Sequence, residues 1–206
     1  MPVDELMLRR AIVFGSAVVY WVGVFIQIRR VRQRTGRSAN PLPHGPKEQL
    51  LWIGWLLVVT GWLALPFLID QPARIGLAQL YPPLMQRPLL VIGAGLVATG
   101  YAMTLWCYAI MGETWRMGVD RNERTRLVTR GPYRVVRHPI YALQLLMLIG
   151  VALLLPAPLA GLILAVHYLC AELKARDEEA YLLTVHGDEY RGYLARTGRL
   201  LPRIFR

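Results

Sequence analysis

Cysteine is scarce in this chain, and neither cysteine stands at a functional spacing. Cys107 and Cys170 both lie in apolar segments, outside any Cys-x-x-Cys pair or metal-ligand spacing. They are therefore predicted to be small apolar packing residues in a reducing or lipid environment.

The motifs of several common enzyme classes are also missing. There is no Ser/His/Asp order, no HExxH zinc motif, no GxGxxG and no phosphate-binding P-loop. Because the histidines lack ligand-like spacing, the sequence predicts no metal site. His167 lies inside an apolar segment and is predicted to be a hydrogen-bonded packing residue. The four histidines are His44, His138, His167 and His186.

Acidic residues are few relative to basic ones. The 24 Lys and Arg against 13 Asp and Glu give a net charge of +11, and 55% of the residues are hydrophobic. Such a basic balance is usual for nucleic-acid binders. Here, however, the basic residues lie between apolar runs of membrane-spanning length rather than on one soluble face. The composition therefore predicts a single-domain integral membrane protein that binds no nucleic acid.

Long apolar segments predict about five membrane helices. Three lie near residues 6–28, 50–69 and 88–111, and the first has no small-residue cleavage site after it, so it is predicted to be retained. Apolar sequence then continues over 139–171, where one helix would be about 50 Å long, too long for the ~30 Å hydrocarbon core. Pro156 and Pro158 interrupt it, which predicts a hairpin of two short helices. Since each is near the lower limit for a full crossing, a partly re-entrant hairpin is the alternative.

The C-terminal part is predicted to leave the membrane as helices. An amphipathic helix is expected near residues 172–185, followed by a break at Gly187 and a last helix near 188–196. The predicted fold class is therefore all-α, a polytopic membrane protein with cytoplasmic C-terminal helices. Residues 1–111 would hold three spans and residues 112–206 the functional half of one membrane domain.

The basic residues predict the orientation. Lys and Arg number six in 29–47, seven in 116–137 and seven in 174–206. The opposite side has only four, Arg9, Arg10, Arg74 and Arg87. By the positive-inside rule the N-terminus lies outside and the C-terminus in the cytoplasm.

The chain's central feature is the stretch 131–141, at the mouth of the fourth apolar segment. A Gly-Pro turn is followed by basic residues, and Pro139 suits the first turn of a helix because it lacks an N–H. The rings of Tyr133, His138 and Tyr141 would gather at one membrane boundary. An interfacial anchor is the alternative interpretation, because Tyr and Arg commonly mark that boundary.

Lys174 and Glu178 stand four residues apart and share a helix face. The spacing alone favours a surface ion pair contributing about 0.3–0.5 kcal/mol. The functional alternative is a carboxylate and an ammonium that face the His138 turn, where partial desolvation would strengthen their contacts with a charged ligand.

Two sequence blocks resemble one family of membrane enzymes. The first is LVTRGPY at 127–133, running into RHPIY at 137–141. The second comprises Glu178-Glu179, GDEY at 187–190, Tyr193 and RLLP at 199–202. In order and spacing they are similar to the integral-membrane methyltransferases that include isoprenylcysteine carboxyl methyltransferases and phospholipid N-methyltransferases. The resemblance covers roughly the last ninety residues.

The resemblance implies S-adenosyl-L-methionine as cofactor and assigns residues to it. Lys174 stands where some members have an Arg near the methyl acceptor, and with Arg137 it would face the substrate. Because direct methyl displacement depends on in-line alignment, no acid or base is assigned. The residues implied for the cofactor are Arg126, Leu127, Val128, Tyr133, His138, Pro139, Ile140, Tyr141 and Glu178.

The implied activity is methyl transfer to a lipophilic or amphiphilic acceptor that enters from the bilayer. The accepting group could be a carboxylate, a thiol or an amine, and the expected location is a bacterial or archaeal inner membrane. One alternative is an NADPH-dependent reductase of the sterol-reductase type, although those proteins are longer and have more spans. Another is a non-enzymatic membrane partner that has kept the scaffold.

Overall fold

The computed structural model describes residues 3–36, 45–69, 76–115 and 127–203. Within these ranges the regular structure is helical and contains no strand, as the sequence predicts. The α-helices are α1 (Val3–Thr35), α2 (Pro46–Leu68), α3 (Arg87–Met111), α4 (Pro139–Leu154), α5 (Pro158–His186) and α6 (Asp188–Arg196).

Proline and glycine set many of the helix boundaries. Helices α2 to α5 each have a proline in the first turn, where the missing N–H costs no helical hydrogen bond. Helices α3 and α5 end at glycines with φ of 53°, a backbone conformation that other residues rarely adopt. The boundaries of α6 agree with the predicted last helix. Pro66 lies within the last turn of α2, close to where that helix stops.

The hairpin of α4 and α5 differs from the prediction of two short helices. Helix α4 has only 16 residues, but α5 has 29 and absorbs the amphipathic helix that was expected to be separate. Helices α1, α2, α3 and α5 are long and apolar enough to cross a membrane, and α4 is a shorter apolar helix. No helix breaker follows Ala171, so the helix continues into polar sequence.

Contacts at the helix ends define two opposite faces of the bundle. On the first, called the Arg9 face, the Arg9 side chain reaches the end of α4 and the residue before α3. On the second, called the His138 face, Lys47 at the start of α2 pairs with Asp177 of α5 at 2.6 Å. Helix α4 runs from one face to the other.

Small residues allow the helices to approach closely. A Cβ on Gly93 of α3 would lie 2.8 Å from the carbonyl oxygen of Gly150 on α4, and a Cβ on Gly150 would lie 2.6 Å from that of Gly93. Close backbone approach through small residues is the usual way that membrane helices pack. Between α2 and α5, Gly54 faces the Sγ of Cys170, and both cysteines are free and buried. Their packing role is therefore as predicted.

Arg9 is fully buried near the start of α1. Its guanidinium donates to the Glu5 carboxylate at 2.9 Å, to the carbonyl of Leu154 at 3.2 Å and to that of Gln86 at 2.8 Å. The last carbonyls of a helix have no partner within the helix. Arg9 thus caps α4 and ties it to α1 and to the start of α3.

Replacing Arg9 by Met should destabilise the protein strongly. The change removes the buried cationic partner of Glu5, which keeps only the longer contact with the exposed Arg87 at 3.6 Å, and it removes the donor to the carbonyls of Leu154 and Gln86. Breaking such a buried pair costs about 3 kcal/mol or more. Thermal unfolding in detergent measures the effect, with Arg30→Met as the matched control because Arg30 is exposed near the other end of α1. Equal melting temperatures for the two variants would show that Arg9 does not cap α4.

Candidate active site

A cavity of about 340 Å³ lies among the helices on the His138 face. All six helices contribute to its lining, which is mainly aromatic and aliphatic. A concave apolar site with a few polar groups is typical of small-molecule binding. The aromatic residues of its wall are Tyr20, Trp21, Trp52, Trp55, Tyr108, Trp115, Tyr133, Tyr141, Tyr190 and Tyr193.

The residues predicted for the site converge on this cavity. Arg126 lies outside the described residues. The other ten all line it: Leu127, Val128, Tyr133, Arg137, His138, Pro139, Ile140, Tyr141, Lys174 and Glu178. Their proximity follows from the fold, whereas their roles toward a cofactor or a substrate stay predictions.

The hairpin geometry explains why His138 and Glu178 meet. His138 precedes Pro156 by eighteen residues, and Glu178 follows it by twenty-two. Two antiparallel helices joined by a short turn bring residues at similar distances from the turn to the same height. The Nδ1 atom of His138 lies 3.2 Å from Oε2 of Glu178.

Both oxygens of Glu178 are engaged by residues at the start of α4. The Tyr141 hydroxyl donates to Oε1 at 2.8 Å, while His138 faces Oε2. The rings of His138 and Tyr141 stack with centroids 5.7 Å apart and planes 8° apart. The cavity wall thus combines a fixed carboxylate with two parallel rings.

The ion pair between Lys174 and Glu178 that their spacing favours does not form. Glu178 turns toward α4 instead, because His138 and Tyr141 offer partners in a less exposed setting. Lys174 lines the cavity and has no hydrogen-bond or ion-pair partner among the residues described. The prediction of a surface ion pair was therefore wrong.

His138 is buried between two carboxylates. Burial by itself lowers the pKa of an imidazole, but Glu178 and Glu179 outweigh it, so the pKa of His138 is raised above its ordinary value. Its Nε2 lies 3.4 Å from Oε1 of Glu179, an ionic contact without hydrogen-bond geometry. In the described part of the chain, no three His, Cys, Asp or Glu residues group as metal ligands.

Glu179 is the residue that sequence reasoning missed. It is buried and accepts hydrogen bonds from Arg137 at 2.8 Å and from Arg199 at 2.8 Å. The hydrogen bond from Arg199 to Glu179 and the charge of Glu179, together with the contact to Glu172, raise the pKa of Arg199. The sequence shows the doublet 178–179 as part of the second block. It does not show that the two carboxylates face different directions around the helix axis. Glu179 faces the C-terminal tail, and Glu178 lines the cavity.

Arg137 has a second role besides lining the cavity. Its guanidinium donates to Glu179 and to the carbonyls of Leu194 and Thr197. It therefore fastens the end of α6 to the segment before α4. A role in substrate binding stays a prediction for this residue.

The tail after α6 runs along the segment before α4. The backbone N–H of Arg137 donates to the Gly198 carbonyl at 2.9 Å, and that of His138 donates to the Arg199 carbonyl at 3.1 Å. A Cβ on Gly198 would lie 1.7 Å from the carbonyl oxygen of Leu201, so only glycine fits. The two sequence blocks are thus joined by main-chain hydrogen bonds.

Gly198→Ala should detach this tail. Because the added methyl collides with backbone, the Arg137 and His138 amides should exchange at least tenfold faster in hydrogen–deuterium exchange. Gly192→Ala in α6 is the matched control, since a Cβ there meets nothing within 4 Å. Unchanged protection of residues 131–141 in Gly198→Ala would contradict this role of the tail.

The turn at the start of the first block packs against the end of α3. Gly131 has a φ of 60°, and a Cβ there would lie 2.1 Å from the Cδ1 of Ile110. The Tyr133 hydroxyl donates to the Sδ of Met111 at 2.7 Å, and burial raises the pKa of Tyr133 so that it stays protonated. The turn therefore sets the position of a neutral ring in the cavity wall.

Two further polar side chains, Gln144 and His167, lie deeper in the bundle. Gln144 of α4 lines the cavity, and its Oε1 accepts a hydrogen bond from the Tyr20 hydroxyl of α1 at 3.2 Å. A lone Gln in an apolar segment was the available signal, since polar residues inside membrane helices are often functional. His167 is buried, and its Nε2 lies 3.3 Å from the Tyr141 carbonyl, in keeping with its predicted packing role.

Comparison with known proteins points to membrane methyltransferases. Residues 89–189 match the model of the phospholipid methyltransferase family, a range that begins in α3, well before the first motif block. A nickel-cobalt-cadmium resistance protein, NccN of Alcaligenes xylosoxydans xylosoxydans, is 27% identical over 116 residues. That match covers 56% of this chain and about half (51%) of the relative.

A solved structure shares the fold. The eukaryotic intramembrane Ras methyltransferase, an isoprenylcysteine carboxyl methyltransferase, superposes with a TM-score of 0.61 at 19% identity. The similarity covers 95% of this chain and 68% of that one. The chain thus resembles the phospholipid methyltransferase family over residues 89–189 and shares its fold with an integral-membrane methyltransferase.

Proposed function

We propose that this protein transfers a methyl group from S-adenosyl-L-methionine to a lipophilic or amphiphilic acceptor at one membrane boundary. The observation that carries the proposal is the Glu178 carboxylate, fixed beside the stacked His138 and Tyr141 rings in the cavity wall. All three residues lie within the range that matches the methyltransferase family.

The cavity has the chemistry that this cofactor requires. A sulfonium favours aromatic faces and a nearby carboxylate, which Tyr141 and Glu178 would provide. A methionyl carboxylate favours a cationic donor such as Arg or His, which the His138 turn would provide, while Lys174 would face the methyl acceptor. Bound there, S-adenosyl-L-methionine supplies an electrophilic methyl group.

The protein's own contribution is positioning. Tyr141 and His138 hold both oxygens of Glu178, so that the carboxylate keeps one orientation. The apolar walls exclude water from the reacting groups. The rate enhancement comes mainly from aligning the acceptor atom with the methyl group and the sulfur, and not from acid–base chemistry. His138, whose Nδ1 lies 3.2 Å from Oε2 of Glu178, serves to orient that carboxylate.

The acceptor is proposed to enter from the bilayer along α2. Trp52 and Leu56 both line the cavity and are exposed, and they belong to a helix that is long and apolar enough to cross a membrane. An apolar wall residue that also faces lipid suits an acceptor that is itself a membrane component. Carboxylate, thiol and amine acceptors are all compatible with such an entrance.

The cavity is proposed to open toward the cytoplasm, with the N-terminus outside. Support comes from the basic residues on the His138 face, among them Arg134, Lys174 and Arg199. Phosphatase and fluorescent-protein fusions at each terminus, in a bacterial inner membrane, test this. Phosphatase activity is expected only from the N-terminal fusion and fluorescence only from the C-terminal one. The reverse pattern would refute the orientation.

Glu178→Gln should weaken binding of S-adenosyl-L-methionine by about tenfold or more. The variant keeps the shape of the side chain but removes the charge that faces the cation, and a tenfold change corresponds to about 1.4 kcal/mol. Calorimetric titration of the detergent-solubilised protein measures it. Asp177→Asn is the matched control, because Asp177 is the preceding residue yet pairs with Lys47 at the surface.

The same titration separates the competing functions. The wild-type protein should bind S-adenosylmethionine and S-adenosylhomocysteine but not NADPH. Binding of NADPH alone would indicate a reductase, and binding of none would indicate a non-enzymatic scaffold. Normal cofactor affinity in Glu178→Gln would refute the assignment of this residue even if the wild-type protein binds.

A further inference from the structure

The deep end of the cavity contains an amide without a complete set of partners. Gln144 is 2% exposed and lies five residues past Pro139, among the apolar residues of α4. Its Oε1 accepts the Tyr20 hydroxyl, but its Nε2 has no hydrogen-bond partner among the described residues. A buried N–H group that finds no acceptor is costly in an apolar setting.

A second donor in the same region is in the same state. The indole Nε1 of Trp21 is also buried without a partner in the described part of the chain. Trp21 packs edge-on against Tyr20, with ring centroids 5.3 Å apart, and all three residues line the cavity. We call Gln144 and Trp21 the deep donor pair. Both side chains offer an N–H donor, whereas the Tyr20 hydroxyl already donates its proton to Oε1 of Gln144.

The charges of the cavity lie elsewhere. The cavity wall has two carboxylates, Glu48 and Glu178, and its basic residues are Arg137, His138 and Lys174. They belong to α2, α5 and the segment before α4, whereas α1 and α4, which contain the deep donor pair, contribute no Asp, Glu, Lys, Arg or His to the wall. Two neutral donors complement a neutral oxygen that accepts hydrogen bonds, such as a carbonyl. An ammonium group, which only donates, would find no matching acceptor in this pair.

We propose that the deep donor pair binds a neutral carbonyl-type oxygen of the lipophilic methyl acceptor. This inference rests on the proposed function. At 1.5 Å per residue, Gln144 lies about 8 Å along α4 from Pro139. The acceptor thus has its methylated group near the His138 turn and a carbonyl oxygen about 8 Å away. A simple alkyl thiol lacks the second group, while lipids with ester, amide or quinone carbonyls have it.

A displacement assay on the detergent-solubilised protein tests the proposal. Bound tritium-labelled 2-tridecanone is displaced with unlabelled 2-tridecanone or with tridecane, a pair that differs in one carbonyl oxygen. A hydrogen bond to the ketone oxygen replaces one to water, so its net contribution to binding is modest. The wild-type protein should therefore prefer the ketone by about five- to tenfold. Gln144→Leu should reduce that preference to about twofold or less.

Gln27→Leu is the matched control. Gln27 is also a buried glutamine of a membrane helix, 8% exposed, but it does not line the cavity. This variant should keep the wild-type preference for the ketone. Loss of the preference in Gln27→Leu as well would mean that the effect is not local to the deep donor pair.

The outcomes separate this inference from the proposed function. If S-adenosylhomocysteine fails to bind the wild-type protein, the methyltransferase proposal falls. If it binds but the ketone does not bind saturably, or ketone and alkane displace equally, only the present inference is overturned. If Gln144→Leu does not elute as a folded protein, the test rests on the ketone-to-alkane preference of the wild-type protein and of Tyr20→Phe. Tyr20→Phe frees the amide to rotate and should halve the preference at least.

Discussion

Two adjacent carboxylates on α5 hold the functional half of this protein together. Glu179 is buried against Arg137 and Arg199 and so joins the segment before α4 to the C-terminal tail. Glu178, one helical position away, faces the cavity with Tyr141. Because successive helix residues point about 100° apart, one doublet serves both a structural and a site position.

The division between the two carboxylates follows from desolvation. A buried carboxylate needs full pairing, and the two guanidiniums on Glu179 supply it with several charge-assisted hydrogen bonds. Glu178 is contacted by one titratable group, His138, and by the neutral Tyr141 hydroxyl, so it is less fully paired than Glu179. A carboxylate in that state on an aromatic wall is suited to a cationic ligand.

Much of the architecture was predictable because it depends on patterns that are local in sequence. Apolar run length predicted the helices, and prolines and glycines predicted where they begin and end. The errors came where a choice between partners decided the outcome. Lys174 and Glu178 stand at ion-pair spacing, but α4 supplies better partners for Glu178. Helix α5 continues past Ala171 because its polar end finds Arg199 and Lys47 to pack against.

The sequence by itself determined that the chain is an all-helical membrane protein whose boundary segment combines aromatic, imidazole and carboxylate groups. Those properties are carried by hydropathy, by residue type and by short-range spacing. Only the tertiary structure decided which groups face one another. The approach of Gln144 to Tyr20, over more than a hundred residues of chain, and the separation of Glu178 from Glu179 depend on helix rotation and packing. Neither leaves a periodic trace in a single sequence, because it is set by the shapes of distant side chains.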